Sequence, residues 1–359
     1  MSGFTIVDAH VHMRGLGSLP NLTGMLTAAD LEAINILCMV VRGGRNLSQN
    51  AAALLFKALH PGRFYAFGGL HYKKLGGRYE DFAEQARRLL DAGCDGMKMI
   101  EGKPTTRKAL GHPLDDPMYD DYYAFMEEQG VPILFHVGDP RTFWDPESCP
   151  PGAKERGWFY GDGSFRTLDQ LYREQESVLE SFPGLRIIFA HFNFRSDDME
   201  SARRLLDRWP EVSFDITPGS EMYVNFTEDA AAWRAFFTEY ADRIVFGTDN
   251  SARADSAAQD VRAATDKIGW MRTFLETEDE AQMWGTPIRG IRLEADVLER
   301  IYAGNFRRYA GSEPKPVEAG LALEECERAM ALAQDEPEED AIMAELHELH
   351  KRLGECTGG

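Results

Sequence analysis

Eight short apolar runs recur along this chain of 359 residues, most of them about 30 residues apart, and few folds accommodate that pattern. They lie at 5–12 (TIVDAHVH), 34–41 (INILCMVV), 64–72 (FYAFGGLHY), 96–101 (GMKMIE), 131–139 (VPILFHVGD), 186–192 (RIIFAHF), 212–217 (VSFDIT) and 244–249 (IVFGTD). Their apolar character is continuous rather than alternating, as in strands covered on both faces of a parallel sheet. Amphipathic stretches fill the intervals. Residues 79–92 place Phe82, Ala86, Leu89 and Leu90 on one helical face, with Gly93 as the stop. Residues 199–209 and 229–240 read the same way. Eight successive strand–helix units predict an α/β fold, a (β/α)8 TIM barrel over residues 1–310. A doubly wound open sheet is the alternative.

Two intervals break the rhythm. Residues 140–184, between the fifth and sixth runs, begin with a stretch rich in Pro, Gly and aromatics, which predicts a packed lid in a long loop after the fifth strand. Residues 251–295 follow the last run and hold an extra helix near 257–275. Beyond the barrel, residues 311–359 form a C-terminal helical extension, with helices at 321–334 and 340–353 broken at Pro337. Its apolar positions Leu321, Cys326, Met330, Leu346, Leu349 and Leu353 call for packing on the barrel or on a neighbouring subunit.

The net charge is −20, and it is uneven: residues 311–359 carry thirteen acids and four bases, leaving −11 for the rest. An acidic body argues against nucleic acid and anionic membrane surfaces as partners, because phosphate contacts need a basic face. The five cysteines lack metal-type spacing and read as reduced thiols. The opening MSGFTIVDAH has no basic segment followed by an apolar one, and no run approaches the roughly 18 apolar residues of a membrane span. A cytoplasmic protein that does not insert in membranes is expected.

Chemistry concentrates where the runs end. In Asp8-Ala9-His10-Val11-His12, residues two apart on a strand point the same way, so His10 and His12 converge as two imidazoles of a zinc-type site. His136 closes the fifth run, His191 the sixth and Asp249 the eighth, all at the strand ends where barrel active sites form. A lone histidine at the end of an apolar run is an ordinary core residue; four of them with an aspartate are not explained that way. His60, His112, His347 and His350 fall on helix ends, a loop and the tail, and are less suited.

With DAHVH, FHVGD, IIFAH and FGTDN in strand order, residues 5–309 resemble the amidohydrolase superfamily of metal-dependent barrels, on the side of its aminocarboxymuconate-semialdehyde decarboxylase-like members. The resemblance implies that His10, His12, His136 and Asp249 bind a divalent metal, zinc first and manganese second. It implies that Asp249 also serves as base, and that His191 acts on the substrate or on water. In some branches a fourth-strand lysine is carboxylated and bridges two metals. Lys98 is therefore open between an ion pair with Glu101, a substrate contact and such a bridge, with one metal as the default. A homo-oligomer is expected on the resemblance alone. The β-sandwich that many relatives build from both chain ends is not expected, since only a few residues precede the first run.

Basic residues follow several strands: Arg42, Arg45, Asn46 beside them, His71, Lys73, Lys74, Arg141 and Arg195. Singly these are surface charges; together they make a cationic mouth that favours a small anionic substrate. His71, Lys98, Arg141, Arg195, Trp144 and Glu221 are the candidate substrate contacts, Glu221 being aimed by the Pro218-Gly219 turn. Trp158, Phe159 and Tyr160 offer a wall for a planar ligand or simple lid packing. The expected activity is metal-dependent hydrolysis of a C–N or C–O bond in a carboxylate-bearing molecule. A decarboxylase or hydratase on the same scaffold is the alternative, and a non-catalytic barrel the third reading.

Overall fold

A computed structural model of the chain describes residues 3–74, 77–253 and 257–357. Parts of the segments 251–295 and 311–359 considered above, residues 254–256 and 358–359, lie outside the described residues.

All the apolar runs become strands: β1 (Val7–Met13), β2 (Ala33–Leu37), β3 (Phe64–Gly69), β4 (Gly96–Gly102), β5 (Ile133–Val137), β6 (Ile187–Phe189), β7 (Val212–Asp215) and β8 (Ile244–Val245). A ninth, β9 (Asn250–Ala252), follows at once. The strands form one sheet in the order β8-β7-β6-β5-β4-β3-β2-β1-β9, and the pairings are parallel. Neighbouring strands are neighbours in sequence until the last, where β8 and β9 lie at opposite edges of the sheet. The start of the eighth run, β8, pairs with β7, and β9, just after that run, pairs with β1. Between them the Ala9 amide donates to the Phe246 carbonyl at 3.1 Å. One segment thus touches both edges of the sheet and closes a TIM barrel, the architecture that eight buried parallel strands require.

Helices surround the barrel. Helix Phe82–Ala92 begins on Asp81, whose carboxylate accepts from the Glu84 amide, and stops at left-handed Gly93. Helix Leu168–Ser181 carries a capping box between Thr167 and Gln170. Inside the barrel, Val7, Ala9, Leu37, Tyr65, Phe67 and Leu134 share one cluster with Phe306 and Tyr309. Phe306 meets Tyr65 and Phe67 at ring distances of 5.0 and 5.8 Å, and Tyr309 shares a hydrogen bond with Ser213. Helix Asn305–Ala310 therefore closes the end of the barrel opposite the site.

The tail forms two helices, Ala319–Ala333 and Glu339–Thr357, which pack on each other and on helix Gln49–Leu59. Cys326, Leu346, Leu349 and Leu353 are fully buried in the same core as the barrel's outer helices. An antiparallel hairpin, Glu280–Met283 with Thr286–Arg289, has no counterpart among the apolar runs. Its turn, Trp284-Gly285, takes positive φ at both residues, as two-residue hairpin turns do.

Candidate metal and active site

The site begins with an irregularity in β1. Between Asp8 and Val11 that strand spends one more residue than its partner β2, a bulge beside the site. Val7 and Ala9 belong to the inner cluster, yet His10 also reaches across to the end of β7. Asp8 anchors the bulge. Its carboxylate accepts from the Thr248 amide at 3.0 Å, the Thr248 hydroxyl at 2.6 Å and the His10 amide at 3.2 Å. Burial raises its pKa to about 7 against those donors.

Three groups converge. His10 Nε2 and His12 Nε2 are 3.2 Å apart, and Asp249 Oδ1 lies 3.6 Å from the first and 3.1 Å from the second. Among the described residues these three form a group whose ligand atoms all lie within 4.8 Å of one another. The other ring nitrogens are occupied: His10 Nδ1 faces Asp215 Oδ2 at 2.7 Å and His12 Nδ1 faces the Leu37 carbonyl at 3.4 Å. Both partners are acceptors, so each proton belongs on Nδ1 and each Nε2 turns a lone pair inward. Three lone-pair atoms then face one another with no proton between them, a repulsive arrangement that a cation resolves. Around tetrahedral zinc, ligands at about 2.1 Å stand roughly 3.4 Å apart, which these spacings match. The donor set fits a divalent metal.

Electrostatics keeps the donors in the required states. Burial lowers His10 to about 3, with Asp215 opposing, so the ring is neutral. Burial pushes Asp215 up, but its contact with His10 prevails and holds it at about 2. Asp249 is likewise pushed up by burial and brought well below the usual carboxylate range by His12 and His10.

Asp215, fully buried at the end of β7, is the hub. Besides His10 it accepts from the His191 amide at 2.7 Å, the Thr217 amide at 3.1 Å and the Thr217 hydroxyl. The available sequence signal is a strand that ends in Asp, as the eighth apolar run also does at Asp249. His191 opens four successive residues, through Phe194, with φ between 51 and 55°. Such left-handed residues cost about 1–3 kcal/mol each and persist where the surroundings dictate them. Here Phe192 is packed by Phe214, Phe226 and Trp233 at ring distances of 4.7–5.6 Å. Asn193 is paired with Gln175, and the Tyr172 hydroxyl donates to the Asn193 carbonyl at 2.7 Å. The turn carries His191 to within 5.4 Å of the His10 ring and 5.0 Å of the His136 ring, centre to centre.

The remaining candidates separate. His136 stands beside His191, but its Nε2 faces the Gly138 carbonyl at 3.0 Å and Asp139 at 3.4 Å, outside the three-residue group. Burial holds that imidazole neutral. Lys98 is buried, its amine has no hydrogen-bond partner among the described residues, and burial lowers it to about 8. Glu101, raised to about 7 by burial, accepts from the Tyr72 hydroxyl at 2.9 Å, and no Lys98–Glu101 ion pair forms. Glu221 lies on helix Ser220–Glu228 within the field of His191, and burial raises its pKa. His71 is held by Glu80 at 2.8 Å and Arg141 by Asp197 at 3.3 Å. Arg195 is buried over the Tyr172 ring at 3.8 Å with Nε on Asn193, supporting the left-handed turn. Trp144 donates to the Arg166 carbonyl at 2.9 Å and packs on Tyr160 at 4.9 Å, within the lid.

Lys267, which drew no notice in sequence, reaches from helix Ala257–Glu276 to donate to the carbonyls of Thr248 and Asp249 at 2.9 and 3.2 Å. It steadies Asp249, which sits at φ 53°.

Among solved structures, an uncharacterised TIM-barrel protein of Bordetella bronchiseptica aligns over 85% of this chain and 98% of its own, at 16% identity and a TM-score of 0.55. An amidohydrolase of Mycobacterium avium subsp. paratuberculosis aligns over 87% and 99% at 11% identity and a TM-score of 0.46. A dihydroorotase of Campylobacter jejuni aligns over 80% and 93% at 15% identity and a TM-score of 0.44. No curated protein sequence matches the chain. The Amidohydrolase family profile matches residues 7–309, which includes every residue of the site, and the chain belongs to that family.

Proposed function

We propose that the chain is a metal-dependent hydrolase in which His10, His12 and Asp249 hold one divalent ion, zinc before manganese. Its reaction is cleavage of a C–N or C–O bond in a small, carboxylate-bearing substrate. The observation that carries this reading is the convergence of three unprotonated ligand atoms within 4.8 Å, with the two imidazoles each held by a partner outside the group. His136 is the fourth donor once its ring turns from the Gly138 carbonyl.

When bound, such an ion supplies Lewis acidity toward a carbonyl oxygen and toward water. The protein's residues do the rest. Asp249 is ionised and its side chain is 38% exposed toward the mouth, so it can take a proton from water and return it to the leaving group. His191 directs Nδ1 to the Thr217 carbonyl at 3.2 Å, which leaves Nε2 as an acceptor. It therefore orients water or shares its proton, rather than donating to the substrate carbonyl. Lys98, a buried amine without a hydrogen-bond partner among the described residues, would contact the substrate or, if carboxylated, would help hold a second ion.

The test is turnover of a panel of lactones and amides by metal-loaded and chelator-treated protein. Hydrolysis should require metal. His191→Ala should lower kcat by about 10²–10⁴ while leaving bound metal unchanged. Equal loss of metal in His191→Ala and His136→Ala would remove the role given to His191. Release of carbon dioxide without hydrolysis would replace this reading with the lyase one.

A further inference from the structure

One buried carboxylate ties the long loop after β5 to His136. In Phe135-His136-Val137-Gly138-Asp139 the strand ends at Val137 and Gly138 turns the chain at φ 87°, so Asp139 comes back toward the imidazole. Asp139 Oδ1 lies 3.4 Å from His136 Nε2. The same carboxylate takes the Lys103 ammonium at 2.7 Å on both oxygens, and its Oδ2 accepts from the Tyr160 hydroxyl at 2.6 Å. Tyr160 belongs to the loop. It is buried against Trp144 and Phe165 at ring distances of 4.9 and 4.8 Å, and its amide donates to the Phe143 carbonyl at 2.8 Å. A second loop residue, Trp158, sets its ring centre 4.6 Å from the Lys103 ammonium. Two inward aromatic residues of the loop thus meet one ion pair, while its outer part, residues 154–157, is exposed.

His136 Nε2 faces two acceptors, the Gly138 carbonyl at 3.0 Å and Asp139, so in this neutral ring Nε2 holds the proton. An Nε2 in that state is no ligand atom. To complete the donor set with His10, His12 and Asp249 the ring must leave both acceptors. Asp139 then keeps two donors where it had three, and its hold on the Tyr160 hydroxyl strengthens. The converse follows: with the loop lifted and Tyr160 withdrawn, the carboxylate is freer to hold the imidazole where it is.

We infer that Asp139 is a positioning residue that couples this loop to His136, so that closing the loop through Tyr160 and releasing His136 toward the three converging ligands favour each other. The loop is then a lid whose closure completes the site. This rests on the reading of those three residues as a metal site, but the link between lid and His136 can be followed with no metal present.

Trypsin at low concentration, acting on the full-length protein, reports how often the lid opens through cleavage of the exposed Arg156–Gly157 bond, read by mass spectrometry. Zinc affinity is measured on the same proteins by competition with a chelator. Tyr160→Phe keeps the ring and loses the hydroxyl; it should speed cleavage about fivefold or more and weaken zinc. His136→Phe keeps a ring and loses the N–H, so in zinc-free protein it should slow cleavage about twofold or more, whereas mere loosening of the structure would speed it. Zinc should slow cleavage of the unaltered protein about fivefold or more and leave the rate of His136→Phe unchanged. Cleavage that is unchanged or faster in His136→Phe, or indifferent to Tyr160→Phe, overturns the inference. Equal slowing by zinc in the unaltered protein and in His136→Phe overturns it too. A protein that binds no zinc removes the metal reading, and the zinc-free rates of the two variants then decide the link between lid and His136 alone.

Discussion

The two sides of the barrel mouth are built on opposite principles. On the side of β1, β7 and β8, side chains from distant strands are aimed at one point and left unsatisfied there: two imidazole lone pairs and a carboxylate face each other. On the side of β2 and β3, almost everything is satisfied, and the acidic tail does it. Glu338 pairs with Arg45 at 3.0 Å and Glu336 with Lys73 at 3.2 Å. Glu345 accepts from the Leu16 amide at 2.8 Å and the Ser48 hydroxyl at 3.1 Å. Arg328 of the tail joins Glu80, which also holds His71. Several cations that look from sequence like substrate contacts are thus counter-ions of the tail.

The largest effect should come from the apolar anchor of the satisfied side. Leu346 is fully buried between the tail and the barrel's outer helices, and Leu346→Ala should cost about 2–5 kcal/mol by denaturant titration. Glu338→Gln, which removes an exposed ion pair, should cost less than about 1 kcal/mol. The reverse ranking would mean that charge rather than packing holds the tail down.

On the unsatisfied side, Asp215→Asn keeps the shape but removes the carboxylate that orients His10. Metal affinity should fall by about 10–100-fold with little change in melting temperature. Undiminished affinity would take Asp215 out of the site.

Between the two sides, Glu101 lies buried under Tyr72 with its pKa raised to about 7. A raised acid pKa favours the folded state fully below its unfolded value near 4.5, and this contribution is lost as pH rises through about 7. The denaturation midpoint of the unaltered protein should fall across that interval relative to Glu101→Gln. Parallel pH profiles would show that Glu101 is not the buried acid described.

Much of the barrel is legible in the sequence because parallel strands buried on both faces leave continuous apolar runs, and the strand-end residues His10, His12, His191 and Asp249 are read directly from where those runs stop. What escaped reading depends on groups distant in sequence. The pairing of Arg45 with Glu338 spans 293 residues, and the neutralising of the mouth by the tail could not be seen locally. The short strand β9 that follows the last run pairs with β1 because the barrel closes there, which no single segment encodes. The left-handed turn from His191 to Phe194 contains no glycine to announce it, and is imposed by the aromatic residues around Phe192. The position of His136, its Nε2 on the Gly138 carbonyl, is set by a local turn that periodicity does not describe.

The central claim is that His10, His12 and Asp249 are a metal site, and metal content per chain tests it most directly. After exposure to zinc or manganese and extensive dialysis, elemental analysis should find one tightly held ion per chain, and His12→Ala should lose it while remaining folded by circular dichroism. A chain that retains no divalent ion, or a His12→Ala variant that retains as much as the unaltered protein, would contradict the account.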